Sequence, residues 1–447
     1  MIEMVVRSER VVLPDGVRPA AIHVRDGRIA AVAGHTDIPA GVRLVDAGNR
    51  VVLPGLVDSH VHINDPGRAD WEGFEHATRA AAAGGVTTLV DMPLNCVPAT
   101  TSVAGLEAKL RAATGRCHVD VGFWGGVVPG NAAALRPLAA RGVLGFKCFL
   151  SPSGVDEFEH VSEPHLRDAL PILSELHLPL LAHAELPAEL RDPDPTRDAR
   201  HYATWLDSRP AESEHAAIDL LIGLAREFDA HIHIVHLASS GGLTALNAAR
   251  AAGVCVTVET CPHYLTFAAE EIDDGATAFK CAPPIREREH REGLWKALAG
   301  GQIDVIATDH SPAPPSLKHL DEGDFLRAWG GISSLQIGLA AVWTGAASRG
   351  LPLERIADWM AGAPARLAGL ERRKGVIAAG RDADLVIWDP DAYDVVDPTR
   401  LHHRHSLTPY AGIRLRGRIW TTMLRGRVVY DEARLTESGR GRLLLSG

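Results

Sequence analysis

The feature that most constrains this chain is a repeated alternation. Eight short runs rich in Val, Ile and Leu, spanning residues 56–63, 87–92, 119–124, 144–150, 179–183, 231–237, 254–259 and 304–308, are separated by Ala- and Leu-rich stretches of helical character. Apolar runs of four to eight residues read as strands buried on both faces, and helices between them imply βαβ units and a parallel sheet. Eight units suggest a (β/α)8 TIM barrel of about 250 residues or more. The flanks differ. Residues 1–50 read as short strands with an Asp26-Gly27 hairpin turn, and β texture returns at 376–377, 383–388, 419–424 and 428–430. The expected organisation is a barrel over 51–374 and a small β domain built from both chain ends, 1–50 and 375–447.

In such a barrel, chemistry sits at the C-terminal ends of the strands. Here those ends carry an unusual set: His60 and His62 on the first, Lys147 on the fourth, His183 on the fifth, His236 after the sixth and Asp309 after the eighth. His60 and His62 are two residues apart, so both point to one face of a strand. Imidazole and carboxylate suit Zn2+ and similar divalent ions. Lysine is the odd member, because an ammonium is repelled by a dication. Burial lowers an amine's pKa, and the neutral amine can take up CO2 to become an anionic carbamate that bridges two metals. Each residue also has a plain structural reading: a packed histidine, a snorkelling lysine, an aspartate capping a helix. Their joint placement at strand ends favours the metal reading. His231 and His233 lie away from the strand end and read as structural. His402, His403 and His405 read as a surface or inter-domain loop in preference to a second metal site.

The remaining composition narrows the partners. Acidic residues (56) exceed basic ones (46), and no basic cluster interrupts the sequence, which argues against nucleic acid. No apolar run of about 18 residues suggests a membrane span. The first ten residues have no signal-peptide core, and the six cysteines form no C-x-x-C pair, so a cytoplasmic protein with free thiols is expected.

The segment Gly55-Leu56-Val57-Asp58-Ser59-His60-Val61-His62 resembles the opening metal motif of the amidohydrolase superfamily, in its cyclic-amidohydrolase branch. Residues 375–390 resemble that family's entry into its C-terminal β-sandwich. Within the branch, 71–88, 92–100, Lys280-Cys281-Ala282-Pro283-Pro284-Ile285-Arg286 and 405–410 are similar to the allantoinases. The resemblance implies a distorted barrel and two divalent ions, zinc foremost with Co2+, Mn2+ or Fe2+ as alternatives, bridged by a hydroxide and by Lys147 as N6-carboxylysine. It assigns His60, His62 and Asp309 to the more buried ion and His183 and His236 to the outer one. Asp309 becomes the catalytic general base, the substrate a small neutral ring (allantoin), and the assembly a homotetramer.

Dihydroorotases place an arginine where this chain has Asn64. Dihydropyrimidinases and hydantoinases place a tyrosine five residues after the bridging lysine, where this chain has Pro152. Candidate ring contacts are Asn64, Asn95, Ser311 and Gly331, residue types that equally favour turns. A hydantoinase of broad specificity and a non-catalytic scaffold are the competing readings, and a dihydroorotase is a further one.

Overall fold

A computed structural model of the chain describes residues 1–436 and 440–446. Strands β1 (Met4–Leu13), β2 (Gly16–Arg25) and β3 (Arg28–Ala33) form an antiparallel meander. At the β2–β3 turn Asp26 and Gly27 both have positive φ, 52° and 73°, as a two-residue hairpin following the strand twist requires. Strands β4 (Arg43–Asp46) and β5 (Val51–Pro54) then run parallel to β1.

The expected runs follow as parallel strands: β6 (Leu56–Val61), β7 (Val86–Asp91), β8 (Asp120–Phe123), β9 (Gly125–Gly126), β10 (Phe146–Phe149), β11 (Leu180–His183), β12 (Ile232–Ile234), β13 (Val256–Thr260) and β14 (Val305–Ile306). They form one group β6-β7-β8 and another β9-β10-β11-β12-β13-β14. Only Trp124 separates β8 from β9. On the other side His62 N–H donates to His310 O at 2.8 Å, and Val61 bridges His310 in parallel. A helix of nine or more residues follows each of the eight strand positions, from Phe74–Ala83 to Gly338–Ser348. Nearly every strand residue is buried, because helices cover one face and packed side chains the other.

The chain returns through β15 (Leu385–Val395), β16 (Arg414–Leu424), β17 (Arg427–Asp431) and β18 (Arg434–Leu435), and β19 (Leu443–Leu444) ends it beside β8. Leu385 of β15 pairs antiparallel with Pro54 of β5. Both chain ends therefore share one nine-stranded sheet. Val376-Ile377 forms no strand; Ile377 is instead buried in the core of that sheet. Among the described residues no helix is long and apolar enough to cross a membrane.

A buried ion cluster joins the sheet to the parallel strands. Lys374 Nζ donates to Asp120 Oδ2 at 2.7 Å and Asp384 Oδ2 at 2.6 Å, and lies 3.1 Å from Asp382 Oδ2. Three carboxylates outweigh burial and raise the lysine above its ordinary pKa. This ammonium occupies the centre of an acidic triad that could otherwise be taken for a cation site.

Candidate active site

The six residues singled out by position converge at the C-terminal ends of the parallel strands. His60 Nε2 and His62 Nε2 lie 3.2 and 3.3 Å from Asp309 Oδ1. Their ligand atoms are all within 4.8 Å of one another, a group that could hold a metal ion. His183 Nδ1 and His236 Nε2 are 3.0 Å apart, and the rings of His236 and His60 are 5.4 Å apart. Lys147 on β10 is wholly buried, 4.7 Å from the Phe149 ring.

The protonation states fit a metal. Burial lowers the pKa of His62, His183 and His236, so these imidazoles are neutral. Burial also pulls Lys147 down to about 8. Burial pushes Asp309 up, but His60, His62 and His236 outweigh it and hold the carboxyl well below its ordinary range. Lys147 Nζ and His236 Nδ1 are buried polar atoms without a hydrogen-bond partner, a cost of about 1–3 kcal/mol each unless something else satisfies them. Both Asp309 (φ 43°) and His236 (φ 41°) hold the left-handed backbone conformation, which costs a non-glycine residue about 1–3 kcal/mol and clusters at functional sites.

Two carboxylates behind the histidines were not singled out from sequence. Glu259, the C-terminal residue of the seventh apolar run, accepts from His60 Nδ1 at 2.6 Å and from His236 N at 3.2 Å. Burial opposes its charge, yet His60 and His233 hold its pKa at about 2. With Nδ1 donating to Glu259, His60 Nε2 is left as the lone-pair nitrogen facing Asp309, the arrangement that orients metal-binding histidines. Glu185 accepts from His183 Nε2 at 2.7 Å and is itself held by Arg209 through Nε (3.0 Å) and Nη2 (2.5 Å). The available signals were the end of a strand for Glu259 and the two-residue spacing from His183 for Glu185. His231 and His233 both bond Thr257 Oγ1 at 2.8 Å, in keeping with a structural role.

A cavity of about 330 Å3 opens over the cluster, large enough for a small ligand. Asn95, Ser311 and Gly331 line it, with Phe149, Trp205 and Trp329. Ser311 Oγ donates to Asp309 Oδ1 at 3.1 Å. Gly331 has φ 137°, and a Cβ there would sit 2.3 Å from Ser311 O, so only glycine lets this wall approach so closely. Asn64 is not a lining residue and corrects the expectation. It is wholly buried at φ 64°, and its amide donates to Pro312 O at 3.3 Å; the turn reading prevails there.

The C-terminal histidines are not equivalent. His403 is buried in a loop, its ring tilted against that of His310 with centroids 4.7 Å apart, which is compatible with the inter-domain alternative of the loop reading and not with the surface one. His402 is half-buried and His405 bonds Asp70 O at 2.8 Å.

Lys280, part of the Lys280–Arg286 stretch, and Lys318, unremarked in the sequence, brace the cavity wall. Lys280 Nζ donates to Leu326 O (3.0 Å) and Ala328 O (2.6 Å), and Lys318 Nζ donates to Gly331 O.

The profile of the amidohydrolase family matches residues 51–429. The chain belongs to the amidohydrolase family. Amidohydrolases are metal-dependent, in agreement with the donor set around Asp309. The chain is 51% identical to an allantoinase of Streptomyces avermitilis over 99% of its own length and 98% of the relative's. It is 44% identical to an allantoinase of Arabidopsis thaliana (99% and 90%) and 47% identical to one of Saccharomyces cerevisiae (86% and 83%). Among solved structures it is similar to the L-hydantoinase (dihydropyrimidinase) of Arthrobacter aurescens, with a TM-score of 0.92 and 31% identity over the whole of both chains. A dihydropyrimidinase of Brevibacillus agri gives 0.89 and 26%, with 100% and 99% covered.

Proposed function

We propose that this protein is an allantoinase, a hydrolase that opens the hydantoin ring of allantoin to give allantoate. The observation that carries the choice of substrate is the 51% identity with an allantoinase across almost both chains, against 31% with the hydantoinase. The scaffold reading loses its basis, since all six candidate ligands stand together in one buried cluster.

His60, His62 and Asp309 would hold one divalent ion, His183 and His236 a second, and Lys147, as N6-carboxylysine, would lie between them. Zinc suits these ligands best. When bound, the ions supply Lewis-acid polarisation of the scissile carbonyl and a water acidic enough to attack at neutral pH. The protein's own groups carry the protons. Asp309 Oδ1 faces the two histidines and Ser311 Oγ, which leaves Oδ2 to accept a proton from the attacking water and return it to the departing ring nitrogen. Asn95 and Ser311, which line the cavity, would hydrogen-bond the ring. Phe149, Trp205 and Trp329 exclude water around it.

We read the eight parallel strands as a closed barrel over 51–374, supported by the single-residue break at Trp124 and the His62–His310 bond. The nine-stranded sheet supports a second domain built from both flanks, 1–50 and 375–447, with β5 (Val51–Pro54) extending it past residue 50 and β19 pairing with β8 outside the sheet. A homotetrameric assembly rests on the family resemblance alone, and a cytoplasmic location on the six free cysteines.

The test is kcat/KM for allantoin, hydantoin, dihydrouracil and dihydroorotate on one zinc-loaded preparation. Cations do line the cavity, but Arg209 is held by Glu185, Arg327 pairs with Glu322, and Lys280 donates to two carbonyls. The carboxylate of dihydroorotate would lack a free partner, at several kcal/mol, so its kcat/KM should be lower by about 10³ or more. If hydantoin or dihydrouracil matches allantoin, the hydantoinase reading replaces this one.

A further inference from the structure

We propose that a second cavity, at the seam between the nine-stranded sheet and the parallel strands, binds a small, multiply charged, phosphate-bearing anion. Its volume is about 610 Å3, and it shares no lining residue with the candidate active site. Met4, Val24 and Leu424, all buried, contribute its apolar surface. Seven of its fifteen lining residues are arginine, in a chain whose acidic residues outnumber its basic ones by ten. Chance surface composition does not account for that concentration.

The arginines arrive from five separate segments: Arg28 opens β3, Arg43 opens β4, Arg373 precedes the buried Lys374, Arg425 and Arg427 flank the β16–β17 turn, and Arg440 and Arg442 belong to the last segment. Two of them are occupied. Arg373 pairs with Asp382 at 2.9 Å, and Arg425 donates to Asp120 and to Arg440 O. Arg28, Arg43, Arg427 and Arg442 have no carboxylate of a described residue within 4.0 Å. Among the described residues the facing carboxylates are Glu3, Asp26 and Asp382, with Asp120 on Arg425, fewer than the seven arginines.

Like charges sharing a concavity repel one another, and a concave wall with an excess of one sign focuses a field that attracts the opposite charge. Guanidinium forks match phosphate oxygens in pairs. The cavity is a half-open pocket of about 610 Å3 whose unpaired arginines reach solvent, a size that suits a free phosphate compound and not a nucleic-acid backbone, which needs an extended basic face. A bound anion would tie β3, β4 and the β16–β17 turn to the last segment, next to the Lys374 cluster.

The test uses the metal-loaded, full-length protein, titrated calorimetrically with inorganic phosphate and with ATP at matched ionic strength in chloride. The wild type should show one saturable event for at least one of the two. Arg28→Ala combined with Arg427→Ala should weaken it at least tenfold while leaving kcat/KM unchanged. A ligand a hundredfold above its Kd should also raise Tm by about 2–5 °C, and the double variant should lose that rise. Equal affinity for both probes identifies free phosphate as sufficient, and tighter ATP binding identifies a larger phosphorylated compound. No saturable binding of either, or binding that the double variant retains in full, overturns the proposal.

Discussion

Glu259→Gln isolates what the layer behind the histidines contributes. The side chain is fully buried, and its Oε1 accepts two hydrogen bonds, from His60 Nδ1 and His236 N. Glutamine keeps the shape and one acceptor but removes the charge, and charge-assisted bonds are about twice as strong as neutral ones. A hydrogen bond to a charged group contributes about 1.5–3 kcal/mol, so weakening it costs His60 about half of that, with a further loss from the less fixed tautomer. Metal affinity should fall 10–100-fold, the range for partners that orient metal-binding histidines. The measurement is a competition titration against a chelator of known affinity, with kcat recovered to within about tenfold at saturating metal. The same carboxylate has a pH signature. Its folded pKa of about 2 lies below its ordinary 4.5, so its ionised form favours the fold, a contribution lost as pH falls from about 4.5 to 2. Glu259→Gln should flatten that part of the stability curve. An affinity unchanged within twofold, with an unaltered acid limb, would refute the reasoning.

Lys147→Ala should lose most of its activity and about half of its bound metal, and short carboxylic acids should restore part of both by filling the gap; a crystal structure with an unmodified Lys147 in a metal-loaded site would contradict the assignment. Asp309→Asn should remain folded while kcat falls by about 10²–10⁴, and activity within tenfold of the wild type would remove Asp309 from proton transfer. Burial pulls Lys280 down to about 8 and Lys318 to about 7 from an ordinary 10.5. The unfolded chain therefore holds protons that the folded chain has released between about pH 8 and 10.5, so their contribution to stability grows as pH rises through that window. Urea midpoints at pH 7.5 and 9.5 should show a smaller gain in Lys318→Met than in the wild type, and an identical gain would sink the idea.

What the sequence made legible follows from burial on two faces. A parallel strand covered on both sides has no reason to carry polar residues, so His60, Lys147 and His183 stand out against Leu56–Val61, Phe146–Phe149 and Leu180–His183. The partners that orient them are invisible for a different reason: Glu259 meets His60 across 199 residues, and no local pattern encodes that pairing. Asn64 and Asn95 read alike in sequence and share φ 64°, yet one faces Pro312 and the other the cavity, because their neighbours in space differ. His403 is hidden for the same reason. Its burial depends on His310, which comes from the far end of another segment.

Lysine usage supplies an independent argument about Lys147. The chain has only six lysines, and five of them, Lys109, Lys147, Lys280, Lys318 and Lys374, are buried. Arginine carries most of the surface cationic charge, so lysine is retained mainly where a compact ammonium fits and a guanidinium does not. Lys109 donates to Asp91 Oδ2 at 2.5 Å and Met92 O at 2.7 Å. Lys374 sits among three carboxylates, and Lys280 and Lys318 each donate to two carbonyls. Lys147 Nζ alone among the five has no partner in the described structure, although it is as buried as the rest. A structural lysine in this protein is saturated with acceptors. An amine left bare, with a pKa near 8 and four histidine ligand candidates around the same strand ends, is placed for chemistry on its own nitrogen, and carboxylation is the reaction that turns its repulsion of metal ions into attraction.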